Sequence, residues 1–291
     1  MENGSRSLTA LKAKSEELQI PYANLLPAFV LEEAMLSIHK SEEAENFWLK
    51  NDTLLSAESY RRKAPLRLEY VLDSEEELNA QEMVLRMRKI FRNEKNAELL
   101  WKYQVEKIKD KIRVHLTGKI EGLQIPAQLL ISQKTDPTLN PVREKMHLLL
   151  QNDQEVEYLH YPVEGILAEH FIKVIKNLEL LSDLSSYYIL YDLLRKEMSS
   201  TRKVTEQIEE LAERQHVPVD KERFDMVLGY RESSYMKKKW KAFLRKEKRQ
   251  TPSFEEVLDV MAAYFEPIWE ALTEGSYYLG DWMPELMRYL D

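Results

Sequence analysis

The stretch that decides the fold is LRLEYVL, residues 66–72. Its residues fall into two alternating sets, which are Leu66, Leu68, Tyr70 and Leu72 on one side and Arg67, Glu69 and Val71 on the other. Strict alternation of this kind is typical of a β-strand with one buried face. We therefore predict a half-buried strand at residues 66–72.

The segments on either side of this strand predict a small mixed α/β domain. Residues 7–40 predict two or three short helices, broken at Pro21 and Pro27. The acidic run 73–77 predicts the start of a helix that continues to about Asn93. KIRVHL (111–116) and LQIPAQLLIS (123–132) predict two further strands, and Pro126 favours an edge or bulged position for the second. We expect about four to six strands within residues 25–140.

The pattern changes to helical periodicity from about Pro162 onward. The predicted helices are 163–180, 185–198, 204–214, 220–228, 234–248 and 253–273, the last opened by the capping-box pattern Ser253-Phe254-Glu255-Glu256. The fold class is therefore α+β, a mixed sheet flanked by helices and followed by an all-helical C-terminal domain. We place the boundary within 138–160, which gives domains 1–150 and 151–291.

Composition excludes several classes of protein. The 291 residues include no cysteine, so a disulfide framework, a cysteine zinc site and a thiol nucleophile are impossible. No segment reaches the roughly 18 apolar residues of a membrane span, and we expect a cytoplasmic protein that neither crosses a membrane nor is exported. The six histidines show no paired spacing, so no metal site is expected from them, and neither a P-loop nor G-x-S-x-G is present.

Three segments carry a resemblance to a known family. They are PAFVLEEAMLSIHKSEEAENFWLKNDTLLSAESYRRKAPLRLEYVL (27–72), YPVEGILAEHF (161–171) and FEEVLDVMAAYFEPIWEAL (254–272). In this order they resemble the AbiEii/AbiGii family of abortive-infection toxins. The resemblance implies a nucleotidyltransferase-like sheet domain followed by a helical domain. It also implies a type IV toxin-antitoxin background with a separate antitoxin protein as partner.

The family's nucleotide loop is altered in this chain. Its LKGGT motif matches Leu49-Lys50-Asn51-Asp52-Thr53, so side chains replace both glycines. Glycines let backbone N–H groups approach phosphates closely. Lys50, Asn51, Asp52 and Thr53 are therefore degenerate nucleotide-binding positions, and Asp52 places a negative charge where phosphate would sit.

The family's metal-binding acids are also altered. A pair of carboxylates at i and i+2 of a strand holds divalent metal, and the matching positions are Arg67 and Glu69. A third carboxylate from a neighbouring strand matches Leu130. Glu69 is thus the sole remaining carboxylate, either a residual ligand or an ordinary strand residue. Arg67 either contacts a phosphate or an acidic partner, or forms a salt bridge with Glu69 or Asp52.

Two later family motifs are only partly kept. The family's AEK matches Ala168-Glu169-His170, and we interpret His170 as a surface or capping group rather than a general base. In R-x-K-D-x-Y-D, Ser186, Tyr188 and Ile189 replace the first charged residues, while Tyr191-Asp192 persists.

A basic segment near the C-terminus is a candidate nucleic-acid interface. Its leading cations are Lys237, Lys238, Lys239, Lys241 and Arg245. One interpretation is contact with phosphates, plausibly of tRNA in view of the resemblance. The other is a solvated helix whose Trp240, Phe243 and Leu244 form its buried stripe. Because the net charge is −8, any attraction for RNA must be local.

These observations favour a catalytically degenerate member of the family that binds a protein or RNA partner. Active members use Mg²⁺ and a nucleoside triphosphate, whereas no cofactor is expected here. The alternative is a working nucleotidyltransferase that modifies tRNA or protein with a rearranged set of acids such as Glu69, Asp73 and Asp136. A third reading is an interaction protein unrelated to toxin function.

Overall fold

The chain forms two compact units, Met1–Tyr161 and Pro162–Asp291. The computed structural model describes residues 2–65, 67–74, 76–93, 97, 99–134, 139–151, 154–275 and 280–290, with side chains from residue 7 onward. The sequence-based boundary, between residues 150 and 151, lies in the turn between the last two strands of the first unit. In the described part of the chain, no helix is long and apolar enough to cross a membrane.

The first unit consists of a sheet and four helices. Its elements are α1 (Glu2–Leu18), α2 (Tyr22–His39), β1 (Phe47–Leu49), α3 (Ala57–Arg62), β2 (Leu68–Leu72), α4 (Ala80–Ile90), β3 (Leu100–Ile108), β4 (Lys111–Ile120), β5 (Leu123–Gln133), β6 (Val142–Leu148) and β7 (Gln154–His160). The seven strands form one sheet in the order β3-β4-β5-β2-β1-β7-β6. β2 runs parallel to β5 and β1 runs parallel to β7, whereas the other neighbours are antiparallel. The sheet is therefore mixed, as predicted.

Helix α2 forms the centre of the N-terminal core. Ten of its residues are buried, and it packs against the sheet so closely that a Cβ added to Gly118 of β4 would lie 2.9 Å from Cγ2 of Val30. The helix runs through Pro27, so the predicted break there is wrong. A proline removes one helical hydrogen bond, but burial of Ala28, Leu31 and their neighbours offsets that cost.

The strand register places polar residues on the face of the sheet that points away from α2. On β4, buried and half-buried residues alternate along the whole strand. Glu69 of β2 lies beside Leu130 of β5, which in turn lies beside Arg113 of β4. These three residues are half-buried, whereas Tyr70, Ile131 and Ile112 in the next row are buried. Period-two patterning thus puts Glu69 and Leu130, two of the positions that the resemblance assigns to metal-binding acids, on one face of the sheet.

Several N-terminal elements differ from the sequence-based expectation. The sheet has seven strands and extends to His160, whereas four to six strands were expected within residues 25–140. The strands that the sequence did not predict are β1, β3, β6 and β7. Leu66, the first residue of the predicted strand, lies outside the described residues. The helix expected from the acidic run begins later, where Asn79 caps α4 by accepting the N–H of Glu82 at 2.8 Å. Pro126 lies within β5 at a point that β2 does not reach, so its missing N–H costs no bond to that strand.

The second unit is helical, as predicted. Its helices are α5 (Val163–Asn177), α6 (Ser185–Leu194), α7 (Thr201–Gln215), α8 (Lys221–Gly229), α9 (Ser234–Lys246) and α10 (Phe254–Glu274), followed by a short ribbon of β8 (Trp282–Met283) and β9 (Arg288–Tyr289) that was not predicted. Ser253 caps α10 by accepting the N–H of Glu256 at 3.1 Å, as the S-x-x-E pattern predicts for the start of this helix, while Oε1 of Glu256 accepts the hydroxyl of Tyr191. At the centre, the rings of Phe171 and Phe265 stack with centroids 4.0 Å apart. The α+β class is confirmed.

Candidate functional site

The remaining carboxylate of the expected metal site is held by a neighbouring cation. Oε1 of Glu69 lies 2.8 Å from Nε of Arg67, at the start of β2. The side chains are 30% and 46% exposed, so the pair is partly shielded from solvent. The salt bridge expected between Arg67 and Glu69 is therefore present. Leu130, the adjacent residue on β5, offers no ligand atom.

The electrostatic environment of Glu69 is cationic. Burial would raise the pKa of its carboxyl, but the Arg67 guanidinium, together with the ammonium groups of Lys50 and Lys111, lowers that pKa below its ordinary value. Glu69 is consequently ionised at neutral pH and already neutralised by its neighbours. An additional cation would meet repulsion from three positive groups.

Asn51 replaces a glycine and forms hydrogen bonds that glycine could not. Its Oδ1 accepts the backbone N–H of Glu69 at 2.8 Å, and its Nδ2 donates to the backbone carbonyl of Arg67 at 3.2 Å. Next to it, the N–H of Lys50 donates to the carbonyl of Glu69 at 2.8 Å. The amide of Asn51 therefore extends the pairing of β1 with β2 by side-chain contacts, and its role in the structure is to hold the strand ends together.

Asp52 points toward β7. Its Oδ1 accepts the N–H of Thr53 at 2.7 Å, and its Oδ2 accepts the hydroxyl of Tyr158 at 2.9 Å. Nε2 of His160 lies 3.6 Å from Oδ1. Burial would raise the pKa of Asp52, but the contacts with His160, Tyr158 and the Thr53 N–H together lower it. The carboxylate thus joins a hydrogen-bonded cluster within the sheet domain.

The residues that β7 contributes to this cluster were not identified from the sequence. The same Tyr158 hydroxyl lies 3.0 Å from Oε2 of Glu144, so it lies between two carboxylates and its single proton can be donated to either. The signal was the alternation of Val156, Tyr158 and His160 in the segment 154–160. That segment was assigned to the linker, and its side chains were therefore not considered.

The alternative set of acids is not brought together around Glu69 among the described residues. Oδ2 of Asp73 lies 3.3 Å from Nζ of Lys134, in an ion pair. Asp136 lies outside the described residues. Across the described ranges, no group of three or more histidine, aspartate or glutamate side chains has a geometry that could hold a metal ion.

The later family motifs make contacts within the helical unit. Nδ1 of His170 lies 3.1 Å from Oγ of Ser186, which is fully buried. The guanidinium of Arg249 stacks on the ring of Tyr188, with Cζ 3.7 Å from the ring centroid. These side chains take part in packing between helices.

The basic helix α9 buries one apolar face. Met236, Trp240 and Leu244 are buried, and Nε1 of Trp240 donates to the carbonyl of Pro252 at 2.9 Å. The helix is therefore packed by its apolar stripe, as one of the two interpretations expected, although Phe243 is only half-buried.

Two of the five candidate cations are engaged. Nζ of Lys237 lies 2.7 Å from Oε1 of Glu255, and Nζ of Lys239 donates to the carbonyl of Leu181 at 2.5 Å. The other three are exposed, and among the described residues they form no ion pair: Lys238, Lys241 and Arg245. The sequence could not distinguish the engaged cations from the exposed ones, because the partners of Lys237 and Lys239 lie in other segments of the chain.

Comparisons with known proteins give a limited result. No family model matches this chain, and no curated protein matches it. Among solved structures, it is similar to a candidate nucleotidyltransferase from Helicobacter pylori, with a TM-score of 0.49 and 12% sequence identity over 86% of this chain and 98% of the other. It is also similar to JHP933 from Helicobacter pylori, with a TM-score of 0.45 and 12% identity over 84% of this chain and 93% of the other.

Proposed function

We propose that this chain is a nucleotidyltransferase-like protein that does not transfer nucleotides and that acts by binding RNA. The observation that carries the first part is the bond between the guanidinium of Arg67 and the carboxylate of Glu69, with Leu130 in the adjacent strand position. The family resemblance expects an acid at each of the positions that Arg67 and Leu130 occupy. The donor set therefore does not fit a divalent ion.

The size of the electrostatic effect supports this proposal. A Mg²⁺ ion bound to Oε1 of Glu69 would lie about 2.1 Å from that oxygen. Because the oxygen is 2.8 Å from Nε of Arg67, the ion would lie within about 5 Å of the guanidinium. Repulsion at that distance is about 7 kcal/mol at an effective dielectric constant of 20, and solvent at the half-exposed Arg67 reduces it to a few kcal/mol. Mg²⁺ dehydrates reluctantly, so a single neutralised carboxylate does not retain it.

The second part of the proposal rests on α9. Lys238, Lys241 and Arg245 are exposed on one helix and are not neutralised by acids within ion-pair distance among the described residues. Nucleic-acid backbones bind such surfaces by releasing counterions, even when the protein as a whole is acidic. RNA is thus the partner that the surface chemistry favours, and tRNA is the form that the family resemblance suggests.

The proposed setting is a type IV toxin-antitoxin system in the cytoplasm. This part depends only on the sequence resemblance to AbiEii/AbiGii toxins, which implies a separate antitoxin as protein partner. Coexpression of the chain with the product of the adjacent gene, followed by purification of a complex, would support it. Normal growth of cells expressing the chain alone would argue against toxicity.

The experiment for the first part is a transfer assay. Purified protein is incubated with labelled nucleoside triphosphates, Mg²⁺ or Mn²⁺, and either tRNA or the protein itself as acceptor. We expect no incorporation above that of a Glu69→Ala variant. Turnover that disappears in Glu69→Ala, but persists in a Glu155→Ala control on β7, two strands away from β2, would show an active site and overturn the proposal.

A further inference from the structure

The outer face of α9 is a continuous cationic surface. At 100° per residue, its exposed side chains fall within about 140° of the helix circumference, opposite the buried stripe. Apart from Ser234 at the first position of the helix, they are Tyr235, Lys238, Lys241, Ala242, Arg245 and Lys246. No acidic residue lies among them, although the whole chain carries a net charge of −8. We refer to these six residues as the outer face.

Tyr235 is unusual among the aromatic residues of the protein. It is 59% exposed, and among the residues that the structure describes it is the only exposed phenylalanine, tyrosine or tryptophan. Nζ of Lys239 lies 5.5 Å from its ring centroid, so a cation adjoins the ring. Among the described residues, the one exposed aromatic ring therefore lies at the N-terminal end of the cationic surface.

We infer that Tyr235 stacks on a base of single-stranded RNA while Lys238, Lys241 and Arg245 bind the adjoining phosphates. This inference rests on the proposed RNA binding and names the form of RNA. From Tyr235 to Arg245 the helix axis extends about 15 Å, which matches about four phosphates at the stacked spacing of about 3.4 Å. Exposed aromatic rings beside a cationic track are the usual platform for single strands.

The preference for single strands follows from base accessibility. In duplex RNA each base face is covered by its neighbours, so an aromatic side chain cannot stack on it without disrupting the helix. The cations of the outer face attract the phosphates of both forms. Tyr235 should therefore contribute to binding of single strands and leave binding of duplexes nearly unchanged.

The test compares two RNAs by fluorescence anisotropy and uses four variants, which are Tyr235→Ala, Tyr235→Phe, Met226→Ala and the triple variant Lys238→Gln/Lys241→Gln/Arg245→Gln. The RNAs are a labelled oligouridylate and a labelled duplex with the same number of phosphates. Tyr235→Ala should weaken oligouridylate binding about tenfold and duplex binding less than twofold, because one base-aromatic stack contributes on that order. Tyr235→Phe should bind oligouridylate within about twofold of the original chain. Met226→Ala, which removes another exposed apolar side chain of the same unit, should change neither affinity.

The possible results distinguish a failure of the inference from a failure of the proposed function. If Tyr235→Ala binds oligouridylate like the original chain, while substitution of the three cations weakens binding, the stacking role is wrong and RNA binding stands. If Tyr235→Ala weakens both RNAs equally, the preference for single strands is wrong. If the original chain binds neither RNA, the proposed function fails and the inference fails with it. Equal thermal unfolding of all variants verifies that folding is unchanged.

Discussion

Replacing the three exposed cations of α9 with glutamine gives a direct measure of their role in RNA binding. Lys238, Lys241 and Arg245 are exposed and form no ion pair among the described residues, so their removal breaks no ion pair there; Lys241 contributes only a longer-range attraction that helps to lower the pKa of Glu255. The variant Lys238→Gln/Lys241→Gln/Arg245→Gln should therefore remain folded. Lys237 is left unchanged, because its bond to Glu255 contributes to packing between α9 and α10.

The salt dependence of binding gives the expected magnitude. Each cation that neutralises a phosphate of single-stranded RNA contributes about −0.7 to the slope of log K against log salt concentration. The four cations of the outer face give a slope of about −2.8, which means that affinity falls about 50-fold between 50 and 200 mM salt. With only Lys246 left, the slope is about −0.7 and affinity falls only about threefold.

The assay is anisotropy of a labelled oligouridylate at several salt concentrations between those limits. The matched control is Lys196→Gln/Arg202→Gln/Arg214→Gln, which removes the same charge from cations that are each paired with an acid four residues away in the chain. The control should keep the steep slope. If the α9 variant kept it too, or if the control lost it equally, the reasoning from the outer face would be refuted.

Two further predictions concern stability. Tyr60→Phe should lower the free energy of unfolding by about 2–3 kcal/mol in urea titrations, since the hydroxyl of Tyr60 donates at 2.7 Å to the fully buried carboxyl of Glu32. An unchanged urea midpoint would contradict it. The pKa of Asp52 is lower in the folded chain than in the unfolded one. Its contribution to the free energy of unfolding is therefore present at pH values above the ordinary aspartate pKa of about 3.9, and it is lost as the pH falls below that value. Asp52→Asn should therefore flatten the dependence of stability on pH in that window, and an identical acid profile would refute the assignment.

The C-terminal helices were predictable because each has local signals. The structure begins α5, α6, α8, α9 and α10 within one residue of the predicted starts. Apolar periodicity fixes the buried face of such helices, and capping residues such as Ser253 mark where they begin. Neither signal depends on distant parts of the chain, so the sequence alone contains the necessary information.

The strands without a clear alternation of buried and exposed residues were harder to predict. β1 has three residues, all buried, so it shows no alternation. β6 reads VREKMHL, with charged residues on both sides, because it lies at the edge of the sheet and faces solvent. β2, β4 and β5 lie inside the sheet, and there the buried face imposes a clear period of two.

The contacts of the candidate site could not be predicted from the sequence. Asp52 and Tyr158 are bonded although 106 positions separate them in the chain. The bonds of Asn51 to β2 depend on the register that places Leu49 opposite Tyr70. The resemblance singles out these positions as candidates, but only strand pairing determines what their side chains contact.

Arg67, Glu69 and Asn51 form one bonded unit at the start of β2. The guanidinium of Arg67 neutralises the carboxylate of Glu69, and the amide of Asn51 bonds the backbone of both residues. An acid in place of Arg67 would remove the partner of Glu69 and add a like charge beside it, which destabilises a partly buried carboxylate. A glycine in place of Asn51 would remove two hydrogen bonds at the end of β2. Each of these two substitutions by itself is therefore unfavourable for the stability of the fold, and this is the condition under which the proposed loss of catalysis would leave the present residues in place.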